Sequence, residues 1–196
     1  GNTASGKSAL AANTTASFNT ASGYLALTAN TTGVSNSAFG SDSLAANTTG
    51  FSNAASGSSS LYANTTGAYN AAFASNALAS NTTGDNNTAV GYQALYSNTT
   101  ADNNTAVGYH AAKANTTGTG TVAVGYQALA TNTIGSNNTA IGFQALYSND
   151  NSDRNTAIGY KTLYSLATGT SSGTGYNTAV GYQALMTNTT GSNNMA

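Results

Sequence analysis

The sequence predicts an all-β protein, a parallel β-solenoid of about eleven 17-residue coils. The first observation is a unit whose best copies read N-T-A-V-G-Y-Q-A-L-x-x-N-T-T-G-x-N and recur every 17 residues, with one step of 22. A short fixed period indicates a stack of similar coils rather than one globular core. Charged residues make up only 5% of the chain, and the scarcity of Lys and Arg and the absence of Glu argue against helices. Hydrophobic residues (39%) recur in strict register, which argues against disorder.

Two parts of the chain differ in how closely their repeats match the 17-residue consensus. The copies begin at Asn2, Asn19, Asn36, Asn53, Asn70, Asn87, Asn104, Thr121, Asn138, Asn155 and Asn177. Residues 1–86 hold degenerate repeats, residues 87–196 hold regular repeats of the same solenoid, and an insertion loop is expected near 166–176. Since both ends lie inside the repeat pattern, we expect the chain to be a segment of a longer protein or fibre.

Each coil is numbered here from 1 to 17, starting at its leading Asn. The pattern predicts two short strands per coil, at positions 2–4 (88–90 in the sixth copy) and at positions 7–9 (93–95). Glycine at position 5, such as Gly91, allows the bend between them. The Asn-Thr-Thr-Gly stretch is expected to form the return turn, because its side chains bond to their own backbone. In-register stacking then places successive coils about 4.8 Å apart.

Small residues and leucines suggest how a coil packs. Alanine at position 3 and small residues at position 8 predict two strand layers facing each other across a thin interior. The leucine of position 9 is then expected on the opposite, outer face, together with one of the ladders at positions 4 and 6. Because exposed leucines need cover, this arrangement predicts a homo-oligomer. Aromatic residues at position 6, from Tyr92 to Tyr182, are expected to stack on one another.

The A-[VI]-G-x-x-A-L core resembles the head repeats of trimeric autotransporter adhesins and the repeats of phage tail fibres. The matching residues are 88–91 with Ala94 and Leu95, 139–142 with Ala145 and Leu146, and 178–181 with Ala184 and Leu185. The resemblance implies a left-handed parallel β-roll, a homotrimer packed about one axis, and a role in surface display or adhesion. The unit here is longer than the typical adhesin-head unit by its Asn-Thr-Thr-Gly turn.

Three motifs suggest chemistry that their surroundings do not support. Residues 1–8 spell a phosphate-binding loop, but no hydrophobic strand precedes them and no helix is expected after them. His110 is a single histidine without cysteines or an acidic cluster, and it is interpreted as a surface substitution. Residues 149–153 resemble a calcium loop but lack its later Glu and central Gly, so a solvated turn is expected. We therefore predict no catalytic, cofactor-binding or metal site.

The recurring Asn-Thr-Thr is also an N-glycosylation acceptor. It occurs at Asn13, Asn30, Asn47, Asn64, Asn81, Asn98, Asn115 and Asn188, and N-N-T acceptors occur at Asn86, Asn103 and Asn137. The simplest interpretation is that Asn and Thr make good turns, while a ladder of glycans or bound ligands is the alternative. The paired threonines also suggest ice or polysaccharide binding along a flat Thr/Asn face.

The function predicted from the sequence is structural. We expect a non-enzymatic segment of an extracellular fibre or surface adhesin, at a cell surface or on a virion. The chain is expected to form a homo-oligomer, a trimer by the resemblance, with end-to-end filaments as a further option, and to contact a cell-surface or glycan target. With four basic side chains and no run of 18 apolar residues, neither nucleic-acid binding nor membrane insertion is expected.

Overall fold

A computed structural model describes residues 1–166 and 175–196 of the chain, and it confirms an all-β solenoid. The described residues form one parallel sheet of 11 strands in chain order. The strands are β1 (Thr3–Ser5), β2 (Thr20–Ser22), β3 (Ser37–Phe39), β4 (Ala54–Ser56), β5 (Ala71–Phe73), β6 (Thr88–Val90), β7 (Thr105–Val107), β8 (Val122–Val124), β9 (Thr139–Ile141), β10 (Thr156–Ile158) and β11 (Thr178–Val180). No helix occurs within these described ranges.

Strand register follows the repeat along the whole sheet. Each strand pairs with its equivalent in the next coil, so that Ala89 lies opposite Ala106 and Val90 opposite Val107. The register continues between β10 and β11, where Ala157 faces Ala179 across the step of 22 residues. The sheet register is therefore the same across the step of 22 residues as across the steps of 17. The predicted insertion loop near 166–176 falls largely on residues 167–174, which lie outside the described residues.

The prediction of a second strand at positions 7–9 is wrong, because the backbone there forms turns. In the sixth coil Gln93 has φ 54° and Leu95 has φ 50°, both in the left-handed region. This alternation still aims backbone groups along the solenoid axis: the N–H of Leu95 donates to the carbonyl of Ala111 in the next coil at 3.0 Å. Coil-to-coil hydrogen bonds thus continue around the turn and offset the cost of the left-handed residues.

The predicted outer position of the leucine ladder is also wrong. Leu27, Leu44, Leu95 and Leu129 are fully buried in the same core cluster as the alanines of positions 3 and 8. The left-handed residue at position 9 turns its side chain inward, whereas strict strand alternation would have turned it outward. The facing alanines were predicted correctly. Since leucine is covered within one chain, it gives no reason for oligomerisation.

Asparagine completes the interior. The side chains of positions 1 and 12 are buried through most of the stack; Asn87 and Asn98 are 0% exposed. Buried amides are tolerated only when their donors and acceptors are paired. The core is therefore an alanine–leucine half joined to an amide half.

Candidate functional site: an outer aromatic ladder and inner amide ladders

Aromatic rings at position 6 form a continuous ladder on the outside of the regular coils, as predicted. Its six members are Tyr92, Tyr109, Tyr126, Phe143, Tyr160 and Tyr182. Successive ring centroids lie 5.1–5.6 Å apart with interplanar angles of 7–20°. The spacing is 5.2 Å even between Tyr160 and Tyr182, across the longer step. Offset stacking of this kind adds about 0.5–1.5 kcal/mol per pair beyond the burial of area.

The aromatic ladder has an aliphatic row beside it. Position 4 lies on the outer face of the sheet because position 3 points into the core. In the regular half this row contains Val90, Val107, Val124, Ile141, Ile158 and Val180, most of them more than one-third exposed. The two rows together are called the outer apolar face here. No coil of the degenerate half has apolar residues at both positions, and the fourth coil has serine at both, Ser56 and Ser58, so the paired rows belong to the regular half.

A basic side chain contacts the outer apolar face at Lys161. The ammonium group of Lys161 lies 5.6 Å from the ring centroid of Tyr160 and 5.3 Å from that of Tyr164. Tyr164 itself stacks on Tyr147 at 5.2 Å, so a second, shorter tyrosine row runs along position 10. The exposed surface of these coils is thus rich in ring edges and poor in charge.

The amide ladder of position 1 ties each coil to both neighbours. The side-chain oxygen of Asn87 accepts the backbone N–H of Asn104 at 3.0 Å, and its Nδ2 donates to the carbonyl of Ala101 at 2.8 Å. The backbone N–H of Asn87 donates in turn to the side chain of Asn70. This pattern recurs through most of the stack, with Thr121 as the exception in residue type. Polar bonds of this kind reinforce the coil spacing that the sheet sets.

The amide ladder of position 12 contains the candidate glycosylation residues. Asn30, Asn47, Asn64, Asn81, Asn98 and Asn115 are all 0% exposed, and Asn13 and Asn188 near the two ends are half-buried. In a typical rung, the Nδ2 atom of Asn47 donates to Asn30 Oδ1 at 2.8 Å and to the carbonyl of Gly50 at 2.9 Å. A glycan would be attached to this same nitrogen, which solvent does not reach in the six inner rungs. Their position indicates a structural role in the folded coil.

The N-N-T acceptors, unlike the inner Asn-Thr-Thr residues, lie on the surface. Asn86, Asn103 and Asn137 occupy position 17, where all three are exposed and have φ between 57° and 61°. The left-handed conformation suits asparagine better than most residues. Among the acceptor sequences, these three are the ones whose side chains face solvent in regular coils.

The two other motifs, at residues 1–8 and 149–153, do not form binding sites in the described structure. Residues 1–8 contain strand β1 and the bend at Gly6 (φ 133°), and no helix follows within the described range. Asp153 Oδ1 accepts the backbone N–H of Ser136 at 2.7 Å, and Asp150 accepts the hydroxyl of Thr133. These carboxylates bond to the preceding coil. The described residues contain no cluster of three or more His, Cys, Asp or Glu side chains that would hold a metal ion.

His110 is partly enclosed by the aromatic ladder. Its ring stacks on Tyr109 with centroids 3.8 Å apart, and its Nε2 atom is buried without a hydrogen-bond partner. Burial lowers the pKa of His110 below its ordinary value of 6.5, and the nearby charge of Lys113 lowers it further. The side chain therefore packs as a neutral ring and is more enclosed than the surface position predicted from the sequence.

This environment predicts a pH-dependent stability. In the unfolded chain His110 binds a proton near its ordinary pKa of 6.5, whereas in the folded chain its pKa is lower. The free energy of unfolding is therefore largest above pH 6.5 and decreases as the pH falls through the folded pKa. We expect thermal melting between about pH 8 and about pH 5 to show this loss. His110→Gln, which copies Gln93 and Gln127 at the same position, should remove it. An unchanged pH profile in that variant would contradict the assignment to His110.

The fold and the ladders define the chain as a tandem-repeat β-solenoid with an amide-bonded core and an exposed aromatic face. No protein-family model matches it, and no similarity to curated proteins or to solved structures is found. The described residues include no helix of the length and hydropathy needed to cross a bilayer. The resemblance to adhesin heads and tail-fibre repeats thus remains an expectation based on the repeat sequence.

Proposed function

We propose that the chain is a structural, non-enzymatic segment of an extracellular fibre or surface adhesin, assembled as a homotrimer of β-rolls. The observation that carries the proposal is the outer apolar face, six aromatic rungs spanning about 26 Å beside a row of Val and Ile. A contiguous exposed apolar surface of this kind is typical of an interaction site. Burial against identical copies is the simplest cover, since equal coil spacing lets two such faces match rung for rung.

The mechanical part of the proposal rests on hydrogen bonds along the axis. Most coils are bonded to their neighbours through the sheet, the turn and both amide ladders, as in the bonds from Leu95 to Ala111 and from Asn47 to Asn30. Such a stack resists extension along its length because many bonds must break together. Repeated identical surfaces would then present many weak contacts that add up by avidity at a cell-surface or virion location.

The oligomer is tested by removing the apolar face without disturbing the coil. The double variant Ile141→Ser with Phe143→Ser copies the Ser56 and Ser58 pair that the fourth coil carries naturally. We expect the wild type to sediment at three times the chain mass of 19.3 kDa and the double variant to shift toward the monomer. Analytical ultracentrifugation with multi-angle light scattering measures both.

The matched control uses an exposed apolar residue away from this face. Ile134 occupies position 14, is 51% exposed, and stands where other coils carry threonine. Ile134→Thr should leave the mass unchanged. A wild type that is monomeric at all concentrations, or a double variant that keeps the wild-type mass, would rule out assembly through this face.

A second candidate function, ice or polysaccharide binding along the threonine face, is favoured by one observation. Position 14 presents an exposed row of threonines that includes Thr49, Thr66 and Thr83. The neighbouring row at position 13 is less available, because Thr48 Oγ1 donates to the carbonyl of Thr65 and its equivalents do the same. Thermal hysteresis tests for ice binding and a glycan array tests for polysaccharide binding; a folded chain with neither activity would exclude this candidate.

A further inference from the structure

A cleft lies beside position 10 in the fourth to sixth coils, where two tyrosines flank an alanine. The row holds Tyr62, Ala79 and Tyr96 in succession, so one ring is missing between two tyrosines. These three residues line a cleft of about 290 Å³. Since Ala79 is buried under the row, it forms the floor, and the two tyrosines form opposite walls.

The spacing of the walls follows from the repeat. Where consecutive coils both carry tyrosine at position 10, as at Tyr147 and Tyr164, the ring centroids are 5.2 Å apart with an interplanar angle of 8°. Two coils therefore separate Tyr62 from Tyr96 by about 10 Å, twice the strand spacing. The cleft is thus a slot into which one six-membered ring fits as the absent rung.

The rim of the cleft is polar and uncharged. Ser59, Asn76 and Ser80 contribute hydroxyl and amide groups, and no charged side chain lines the cleft. Next to the rim in sequence, position 6 of the fourth and fifth coils holds Ser58 and Ser75 instead of the aromatic residue found from the sixth coil onward. Apolar walls with a few converging polar groups are the usual composition of a small-molecule site.

We propose that this cleft binds a neutral pyranose unit of a glycan, sandwiched between Tyr62 and Tyr96. A pyranose whose hydroxyls are equatorial, as in glucose, presents axial C–H groups on both faces, and these apolar faces suit the two ring walls. The hydroxyls around its edge can then bond with the neutral groups of the rim. The uncharged lining disfavours phosphorylated or carboxylated sugars, which would need cationic partners. A purely aromatic ring would make no use of the polar rim. The site goes beyond the proposed assembly, since it lies in the degenerate half, away from the outer apolar face.

The test fills the slot with a residue that the row already tolerates. Wild-type protein is applied to immobilised neutral oligosaccharides of glucose, N-acetylglucosamine, mannose and galactose, and the bound ones are titrated by NMR. We expect at least one of them to bind, and Ala79→Tyr to weaken that binding about tenfold or more by completing the ladder. Tyr62→Ser should weaken it similarly by removing one wall.

The control makes the same substitution elsewhere in the row. Ala130 occupies position 10 of the eighth coil, outside the cleft, so Ala130→Tyr should leave sugar binding unchanged. Circular dichroism verifies that every variant is folded. The proposal is overturned if no neutral oligosaccharide binds, if Ala79→Tyr binds as the wild type does, or if Ala130→Tyr loses as much affinity. It is equally overturned if phenol binds and the sugars do not, or if Ala79→Tyr changes only the oligomeric mass, which would assign the slot to a second copy.

Discussion

Replacing Asn87 by alanine is expected to destabilise the solenoid by about 3 kcal/mol, although the residue touches no outer surface. The substitution removes the acceptor of the Asn104 N–H and the donor to the carbonyl of Ala101. Asn104 is 0% exposed, so water does not replace the lost partner, and a buried unpaired donor costs about 1–3 kcal/mol. A small cavity adds to that cost. Urea denaturation measures the total, and hydrogen exchange should show the loss of protection centred on the sixth and seventh coils.

The opposite experiment, adding an amide to the ladder, is possible at Thr121. Threonine there uses its hydroxyl to donate to Asn104 Oδ1 at 2.8 Å, and it has no amide oxygen with which to accept the N–H of the next coil. Thr121→Asn would restore the rung that every neighbouring described coil has, because the two side chains are similar in volume. We expect stabilisation by about 1 kcal/mol. Destabilisation by Thr121→Asn, or a neutral Asn87→Ala, would show that the ladder does not contribute as proposed.

The sheet was predictable from the sequence because its determinants are local and repeated. Alanine at position 3 in every complete copy indicates a tightly packed inward residue, and the 17-residue period sets the register, as in Ala89 opposite Ala106. The aromatic ladder follows from the same period, since identical coils bring Tyr109 over Tyr126. These features require only that equivalent positions stack.

The turn and the amide core could not be predicted in the same way. Gln-Ala-Leu reads as strand alternation, and nothing in its residue types indicates left-handed φ at Gln93 and Leu95, which side chains usually avoid. Asparagine at position 12 is expected in the return turn, because its side chain bonds readily to its own backbone. Its burial depends on a partner 17 residues away, as between Asn47 and Asn30. A polar residue that recurs at one position in every complete copy but one, Leu166 being the exception at position 12, is the available signal for an internal ladder.

The cleft between Tyr62 and Tyr96 was also missed in the sequence. Position 10 varies among Ala, Tyr, Thr, Lys and Met, so it gives no repeat signal. The Tyr-Ala-Tyr order gains meaning only when three successive coils are known to place these side chains in one row. Sites formed by departures from a repeat are therefore harder to recognise than the repeat itself.

Replacing Gly108 by valine is expected to be the most damaging single substitution in the outer bend, at about 4 kcal/mol or more. Gly108 has φ 135°, where a β-branched residue is strained. A Cβ atom built on it would also collide with the backbone of the next coil at the carbonyl of Gly125. Since that backbone is held in the stack by its own hydrogen bonds, the two further methyl groups of valine would push the seventh and eighth coils apart. The loss is measured by urea denaturation and by exchange of the amides in those two coils.

A substitution at Gly181 separates backbone strain from steric clash as causes of the destabilisation. It has nearly the same conformation, φ 130°, but a Cβ atom there meets no other atom within 4 Å. Gly181→Val should therefore show only the strain of the backbone, about 1–3 kcal/mol. Ala74, which occupies the same coil position with φ 115°, indicates that one methyl group is tolerated in the bend. If Gly108→Val and Gly181→Val proved equally destabilising, contact between adjacent coils would not be what requires glycine, and the conformation alone would explain its recurrence.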